Sequence, residues 1–298
     1  MIERGSKMKN KAMKVVLATL SIWLLIFSIS FADAIEGEVI VTLGEDLSSE
    51  QREMLLSEMG VTEETVEIIP VSNAEEHHYL GEYIASNVIG TRALSSSMIT
   101  LLPEGQGITV ETNRITQISE GMYANALFTA GVKDADIYVT APFNVSGTGA
   151  LTGLIKAYEL TTDEVIPEEQ KQIANEELAK TAELSEDYGV EQATELMTRI
   201  KEAIAQENVE TEEDLRELIQ RIANELGMTL TETELEGLVS LFHRMRNLNI
   251  DWDQVQNQIG KIRDNLSDFL SSDEGQGFIR AILDFFDSLI ESIKGWFN

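Results

Sequence analysis

The spacing of apolar residues changes near residue 165, and this change constrains the fold more than any other feature of the chain. Before it, short β-rich runs alternate with helical patterns, beginning with 38–43 and 51–59. After it, apolar residues recur at helical spacing only. Glycine divides in the same way, with twelve glycines in 35–165 and seven in 166–298. The sequence therefore predicts an α+β protein, in which a mixed-sheet α/β domain over 35–165 precedes an all-helical domain over 166–298.

Five runs in the first part have the composition and alternation of β-strands. Two of them, 98–102 and 108–113, flank Gly105-Gln106-Gly107, an arrangement that predicts a hairpin. A hairpin would make the sheet mixed rather than purely parallel. The predicted strands are 38–43, 66–71, 98–102, 108–113 and 137–140, and the predicted helices are 51–59, 74–86, 120–130 and 151–160.

Helix starts in the second part are marked by capping residues. Pro167 is followed by two glutamates, an order typical of a first turn whose acids face the positive end of the helix dipole. Thr211 with Asp214, and Thr231 with Glu234, have the spacing of capping boxes. No Pro- or Ser-rich linker separates the two parts, so we expect them to pack together.

Residues 1–34 have the order of a secretory signal peptide. Basic residues precede an uncharged, mainly apolar run over 15–31, and Ala32-Asp33-Ala34 places small residues at the two positions that a signal peptidase reads. We predict export with cleavage after Ala34, giving a protein that is secreted or held in the cell wall. The alternative is an uncleaved membrane anchor, because the run is just at the short limit for spanning a bilayer.

Charge and cysteine content exclude several classes of function. The formal net charge of −30 repels nucleic acid and anionic lipid headgroups, which are bound through Lys and Arg. We therefore predict no nucleic-acid partner, and a membrane association only if the N-terminal segment is uncleaved. The chain has no cysteine, which excludes disulfides, thiol catalysis and zinc–thiolate sites. No motif predicts a cofactor.

A glycine-rich turn follows a predicted strand and opens a predicted helix. It contains Ser146, Gly147, Thr148, Gly149 and Gly153. Backbone amides in such a turn can hold a phosphate or another anion. The spacing is one residue longer than the dinucleotide fingerprint, and no G-K-[ST] follows. Close packing of the helix on the sheet is the alternative use of these small residues, although the turn stays the first candidate for a ligand site.

One histidine cluster offers weak metal ligands. Glu76 and His77 lie next to His78, and in a continuous helix His78 and Glu82 would share one face. Neither H-E-x-x-H nor H-x-x-E-H occurs, and no third ligand is evident. A solvated helix start explains these residues better, so we predict no metal and keep Glu76, His77 and Glu82 as the weak candidates.

The C-terminal segment predicts a helix with a wide apolar face. Its negative flank disfavours an anionic membrane, and this leaves a protein or a cell-wall component as the predicted partner. Packing within the helical domain is the alternative. The residues of this predicted interaction face are Phe278, Ile282, Phe286, Leu289, Ile293 and Trp296.

Several stretches together resemble the YpuA-like proteins, a family filed as a domain of unknown function. The resemblance spans nearly the whole chain after the N-terminal segment. It implies an exported protein, chiefly of endospore-forming Gram-positive bacteria, and it carries no established catalytic residues. The stretches are 37–44, 75–77, 79–81, 138–143, 146–148, 157–159 and 249–252.

Two hypotheses for the function follow. The first is a non-enzymatic extracellular or cell-envelope binding protein, favoured by the export signal, the acidity and the lack of an assembled catalytic set. The second is a secreted hydrolase or metal-dependent enzyme, centred on Glu76, His77 and Glu82 or on the turn at 147–153. The serines at 95–97 offer hydroxyls, but no G-x-S-x-G elbow surrounds them.

Overall fold

The computed structural model describes residues 37–162, 164–207, 209–248, 250 and 252. Its first part contains a five-stranded sheet, and each strand overlaps a run predicted from the sequence. The predicted signal segment and the predicted C-terminal interaction face lie outside the described residues. The strands are β1 Val39–Gly44, β2 Glu67–Val71, β3 Ser96–Leu101, β4 Ile108–Thr112 and β5 Ala135–Thr140.

The sheet is mixed, with the strand order β2-β1-β3-β5-β4. β1 pairs in parallel with β2, β4 pairs in parallel with β5, and β3 is antiparallel to both of its neighbours. The hairpin predicted from 98–102 and 108–113 is wrong, because β5 lies between β3 and β4. Met98 pairs with Tyr138 of β5, and Val110 pairs with Ile137 from the other side. The sheet is mixed because β3 reverses direction.

Nine helices occur in the part of the chain that the structure describes. The helix predicted over 74–86 is shorter, since it ends at Leu80 and a separate four-residue helix follows. The bounds are α1 Ser49–Glu58, α2 Asn73–Leu80, α3 Ser86–Ile89, α4 Glu120–Ala130, α5 Gly149–Thr162, α6 Glu168–Tyr188, α7 Val190–Gln206, α8 Glu212–Glu225 and α9 Glu232–Arg246.

Capping residues define several of these helix starts. The capping boxes predicted at Thr211 and Thr231 are confirmed, and Ser48 and Ser72 cap α1 and α2 in the same way. In each box the cap hydroxyl and a side chain three residues later satisfy backbone N–H groups that the helix leaves unpaired. Pro167 is the N-cap of α6 rather than its first helical residue.

Helices cover both faces of the sheet, and β1 shows how the sequence assigns them. Ile40 joins the apolar core beneath α4 and α5, whereas Val41 and Leu43 join the core beneath α1. This alternation follows from the two-residue period of a strand. None of the described helices is both long and apolar enough to span a bilayer.

Helix α6 connects the sheet to the helices that follow it. Ala174 and Leu178 are buried in the core shared with α4 and α5, whereas Ile173 and Leu184 are buried in the core of the later helices. The two parts therefore pack together through α6, and the α+β prediction is confirmed. The boundary at 165–166 stays a prediction.

A buried ion pair lies where α4, α6 and α7 meet. Lys201 Nζ is 2.5 Å from Glu177 Oε1, and the two side chains are 3% and 0% exposed. Lys201 also donates to the Asn125 carbonyl at 2.8 Å, and the Thr129 hydroxyl donates to Glu177 Oε2. Burial raises the pKa of Glu177 and lowers that of Lys201, because desolvation disfavours both charged forms.

Removing one partner of the Lys201–Glu177 pair should lower the free energy of unfolding more than removing both partners. We expect Lys201→Met alone to lower the free energy of unfolding by about 3–5 kcal/mol, since Glu177 is left buried without its cation. The double variant Glu177→Leu/Lys201→Met should recover much of that loss. Urea unfolding of the three proteins measures this. Equal stability of the single and double variants would contradict it.

Gly153 should tolerate no side chain, although it lies inside α5. A Cβ there would lie 2.7 Å from Thr42 Oγ1 and 2.9 Å from Val71 Cγ2, so we expect Gly153→Ala to destabilise the fold by about 1–3 kcal/mol. Gly237→Ala in α9 is the matched control, because its Cβ meets only the flexible end of Lys180. The control should gain up to about 1 kcal/mol from helix propensity. Similar unfolding midpoints for the two variants would refute the packing argument.

Candidate functional site

A cavity of about 260 Å³ opens at one edge of the sheet. β1, β2, β4 and β5 all end at this edge, and β3 begins there. In open α/β sheets, the crevice beyond the carboxyl ends of the strands is where ligands usually bind. Its walls come from α2, from α3 and the segment between α3 and β3, and from the turn before α5. The lining residues are Glu76, Val88, Ile89, Gly90, Thr91, Arg92, Leu94, Ser95, Val145, Ser146 and Thr148.

Glu76 is the buried acid of this cavity. Helix α2 holds it there, and only 2% of the residue is exposed. Its Oε2 accepts one long hydrogen bond, from Asn73 Nδ2 at 3.4 Å. Oε1 accepts none from any residue that the structure describes. A buried carboxylate usually receives several hydrogen bonds or a cation, and within the described residues Oε1 receives neither.

The glycine-rich turn contacts Glu76 directly. Gly149 is the first residue of α5, and a Cβ built on it would lie 1.8 Å from Glu76 Oε1. Gly147 has a φ of +92°, and its carbonyl accepts a hydrogen bond from the buried Tyr123 hydroxyl. A larger residue at 149 would displace the carboxyl group. Glycine here places the acid against the N-terminal end of a helix, where a negative charge is favoured.

Neutral hydroxyl groups and one arginine complete the lining. Ser146 Oγ and Thr148 Oγ1 are 3.3 Å apart, and Thr148 is 2% exposed. Ser95 is 7% exposed and makes no side-chain hydrogen bond within the described residues. Arg92 is exposed, and no described residue forms an ion pair or hydrogen bond with it. The cavity thus has a buried acid, several hydroxyls and an unpaired guanidinium.

Burial changes the acidity of Glu76. Desolvation raises its pKa to about 7, the nearby carboxylate of Asp46 adds to the rise, and the hydrogen bond from Asn73 opposes it. Asp46 itself accepts a hydrogen bond from the Ala93 N–H at 2.8 Å. Near neutral pH, Glu76 therefore exchanges between a protonated acid that can donate a hydrogen bond and a carboxylate that can only accept hydrogen bonds.

The three weak metal candidates do not converge. His77 Nε2 is hydrogen-bonded to the Gly90 carbonyl at 2.9 Å, which fixes part of the cavity wall. Glu82 is exposed and lies beyond the end of α2, so it does not share a helical face with His78, which approaches Glu168 instead. Among the described residues, no group of three or more His, Asp or Glu side chains is placed to hold a metal ion.

The predicted turn residues divide between two uses. Ser146, Gly147, Thr148 and Gly149 form or adjoin the cavity, whereas Gly153 serves the close packing of α5 on the sheet. The serines at 95–97 divide similarly. Ser95 lines the cavity, and Ser97 is buried in the sheet with its Oγ 2.6 Å from Thr42 Oγ1.

Sequence reasoning missed a second acidic cluster at the same edge of the sheet. Glu58, at the end of α1, accepts hydrogen bonds from Asn113, Arg114, Tyr138 and Thr140. Burial alone would raise the pKa of Glu58, but these donors, led by Arg114, lower it to about 2. Arg114 adopts a φ of +59°, which is rare for a residue with a side chain. The Glu58 carboxylate already accepts hydrogen bonds from all four neighbours, so the cluster has a structural role and connects α1 to β5.

A second cavity, of about 350 Å³, lies between α4 and the start of α6. Gln170 in its lining donates to the Thr129 carbonyl at 2.9 Å. The lining also includes the exposed charged residues Lys133 and Glu164, and Val165, which is 86% exposed. It contains no buried acid like Glu76, so the first cavity is the better candidate for a polar ligand.

Glu76 should make the protein less stable as the pH rises. The folded state holds the proton more tightly than the unfolded chain, whose pKa is near 4.5, so this contribution is lost as the pH passes through about 7. Between pH 4 and pH 8, the stability of wild type relative to Glu76→Gln should fall by on the order of 3 kcal/mol. Chemical unfolding across this range measures it. Ser146→Ala should follow the wild-type curve, and parallel curves for wild type and Glu76→Gln would exclude the shift.

Comparison with known proteins agrees with the resemblance seen in the sequence. The family model described as a protein of unknown function, DUF1002, matches residues 43–262. The uncharacterized protein YpuA of Bacillus subtilis (strain 168) is 48% identical over 284 residues, which cover 95% of this chain and 98% of that protein. No solved structure matches the chain significantly. The chain belongs to the DUF1002 family of proteins of unknown function.

Proposed function

We propose that this protein is an exported, non-enzymatic binding protein that acts outside the membrane or in the cell wall. The observation that carries the proposal is the buried carboxyl group of Glu76, which faces a cavity with one oxygen that no described residue satisfies. A ligand would supply the missing donor. The N-terminal segment 1–34, the excess of 52 acidic over 22 basic residues and the absence of cysteine all suit an exported protein.

The contacts in the cavity favour binding over nucleophilic catalysis. A serine or threonine nucleophile needs a base within hydrogen-bonding distance. In the described part of the chain, the hydroxyls of Ser146 and Thr148 are hydrogen-bonded to each other, and neither is hydrogen-bonded to a histidine or a carboxylate. The nearest histidine in sequence to Glu76, His77, is bonded to a backbone carbonyl instead. The cavity presents groups that can hold a ligand in place, without the pair that would activate a nucleophile.

A second contact surface is proposed on the predicted C-terminal helix. Phe278, Phe286 and Trp296 belong to its predicted apolar face, which would contact a protein or cell-wall partner. This face lies outside the described residues. It shares no residue with the described lining of the cavity, so we propose that it serves a separate, larger partner.

Export and ligand binding can be tested separately. We expect the full-length chain, expressed in a Gram-positive host, to appear in the medium or wall fraction with Ile35 as its first residue. Recovery of the intact chain only in washed membranes would support the anchored alternative. N-terminal sequencing of each fraction makes the distinction.

For binding, the mature chain is screened by thermal unfolding against amino acids, short peptides, sugars and nucleotides. Compounds that raise the midpoint should lose this effect in Ser146→Trp, which fills the cavity, and keep it in Glu213→Trp, which alters an exposed position of α8. Each compound is recovered and analysed afterwards. Its turnover by wild type but not by Ser146→Trp would replace the binding proposal with the hydrolase hypothesis.

A further inference from the structure

The cavity contains two charged groups in different surroundings. Glu76 is buried at 2% exposure, and Arg92 lines the same cavity as an exposed residue. Neither is paired with an opposite charge among the described residues. Ser95, Ser146 and Thr148 also line the cavity and supply neutral donors and acceptors. A ligand that satisfied both charges would need an opposite charge at each end.

We propose that this cavity binds a small zwitterion, an amino acid or short peptide, with its ammonium group on Glu76 and its carboxylate on Arg92. The proposal rests on the proposed binding function and names the ligand class of that same site. The cavity volume of about 260 Å³ is slightly below the roughly 300–1,000 Å³ typical of drug-sized ligands, which suits a molecule of this size.

An ammonium group fits the acidic side of the cavity better than other groups do. It has three N–H donors and no acceptor, and Glu76 Oε1 has no donor among the described residues. The hydroxyl oxygens of Ser146 and Thr148 can accept the remaining donors. An anion placed there would leave the ionised carboxyl group unpaired and repelled, which is costly in a buried site.

Several polar groups around Glu76 already have hydrogen-bond partners within the fold. Asp46 accepts the Ala93 N–H, His77 is bonded to the Gly90 carbonyl, and the Tyr123 hydroxyl donates to the Gly147 carbonyl. Asn73 makes the one long hydrogen bond to Oε2. The Tyr123 hydroxyl, the His77 ring nitrogen and one Asp46 oxygen are thus engaged within the fold, whereas Glu76 Oε1 has no donor among the described residues.

Arg92 is unusual among the arginines of this acidic protein. Each of the seven other arginines in the described residues makes an ion pair or a hydrogen bond, whereas Arg92 makes none. A guanidinium group binds a carboxylate through two parallel N–H donors, a geometry that lysine cannot reproduce. In a chain with 52 acidic residues, an arginine without an acid beside it remains available to a carboxylate from outside. The seven partnered arginines are Arg52, Arg114, Arg199, Arg216, Arg221, Arg244 and Arg246.

Calorimetric titration of the mature chain with matched probes tests the proposal. Alanine and alanyl-alanine carry both charges, N-acetyl-alanyl-alanine lacks the ammonium, and alanyl-alanine amide lacks the carboxylate. At least one of the two zwitterions should bind at pH 7. The dipeptide analogues without one charge should bind at least tenfold more weakly than alanyl-alanine.

The number of protons released on binding shows whether the ammonium group pairs with Glu76. Burial holds the pKa of Glu76 at about 7, so an ammonium that pairs with its ionised form should release about half a proton at pH 7, measured in two buffers of different ionisation enthalpy. Binding of alanyl-alanine should be about fivefold weaker at pH 6 than at pH 7, because most of the carboxyl group must then lose a proton first.

Two variants assign the charges of the ligand to residues. The Glu76→Gln variant should bind alanyl-alanine and N-acetyl-alanyl-alanine with equal affinity, and binding should no longer release protons. In Arg92→Gln, the dipeptide and its amide should bind equally. Glu82→Gln and Arg221→Gln change exposed charges outside the cavity and should bind all probes as wild type does. Unfolding curves confirm that each variant is folded.

The outcomes separate the ligand class from the binding function. Failure of both zwitterions to bind, or charge preferences that the Glu76→Gln and Arg92→Gln variants leave unchanged, would overturn the zwitterion proposal. If neutral compounds of the wider screen bind and Ser146→Trp abolishes their binding, the binding function stands with a different ligand. If no compound binds, both proposals fail.

Discussion

The close approach of α5 to the sheet and to α2 is the constraint on which the candidate site depends. Gly153 brings the helix against Thr42 and Val71, and Gly149 brings its first turn against Glu76. A side chain at either position would push the helix away from these neighbours. The low exposure of Glu76, and with it the raised pKa, follows from this contact between backbone and carboxyl group.

The reversed strand β3 explains where the cavity forms. Because β3 runs against its neighbours, the segment leading into it crosses the edge at which β1 and β5 end. That segment carries Arg92 and Ser95 to the same place as Glu76, which follows β2, and Ser146, which follows β5. A purely parallel sheet would bring no strand start to this edge, so the arginine would lie elsewhere.

The local patterns of the sequence were enough to predict the elements but not their pairing. The five strands and the capping boxes depend on residues within a few positions of each other, and they are confirmed. The hairpin was wrong because the residues near Gly105 favour a turn, whereas the insertion of β5 depends on partners about 30 positions away. The sequence indicates Glu76 as a weak metal ligand and the turn at 146–149 as an anion site. Glu76 and Gly149 are about 70 positions apart in the sequence, so no rule based on local spacing predicts that they are in contact.

The Lys201–Glu177 pair and the Glu58 cluster were missed for a related reason. In the sequence, Lys201, Glu177 and Glu58 look like ordinary charged residues of amphipathic helices. Only the folded structure shows that hydrogen-bond donors surround the two carboxylates. In both, the carboxylate receives partners from at least two other elements. Glu76 differs, since its Oε1 receives no partner from the described residues. A local departure from full satisfaction of this kind is expected at functional sites more than elsewhere.

The lack of partners around Glu76 raises the question of why a glutamate, rather than a neutral residue, occupies this position. At neutral pH its burial opposes folding, and glutamine would fill the same space without a charge. A chain without cysteine has no disulfide to offset that cost, so its stability comes from the core alone. Glu58 and Glu177 recover part of the cost of their burial through partners within the fold. For Glu76 no described residue supplies that recovery, and the protonated amine proposed above would restore both the charge balance and the missing hydrogen bond.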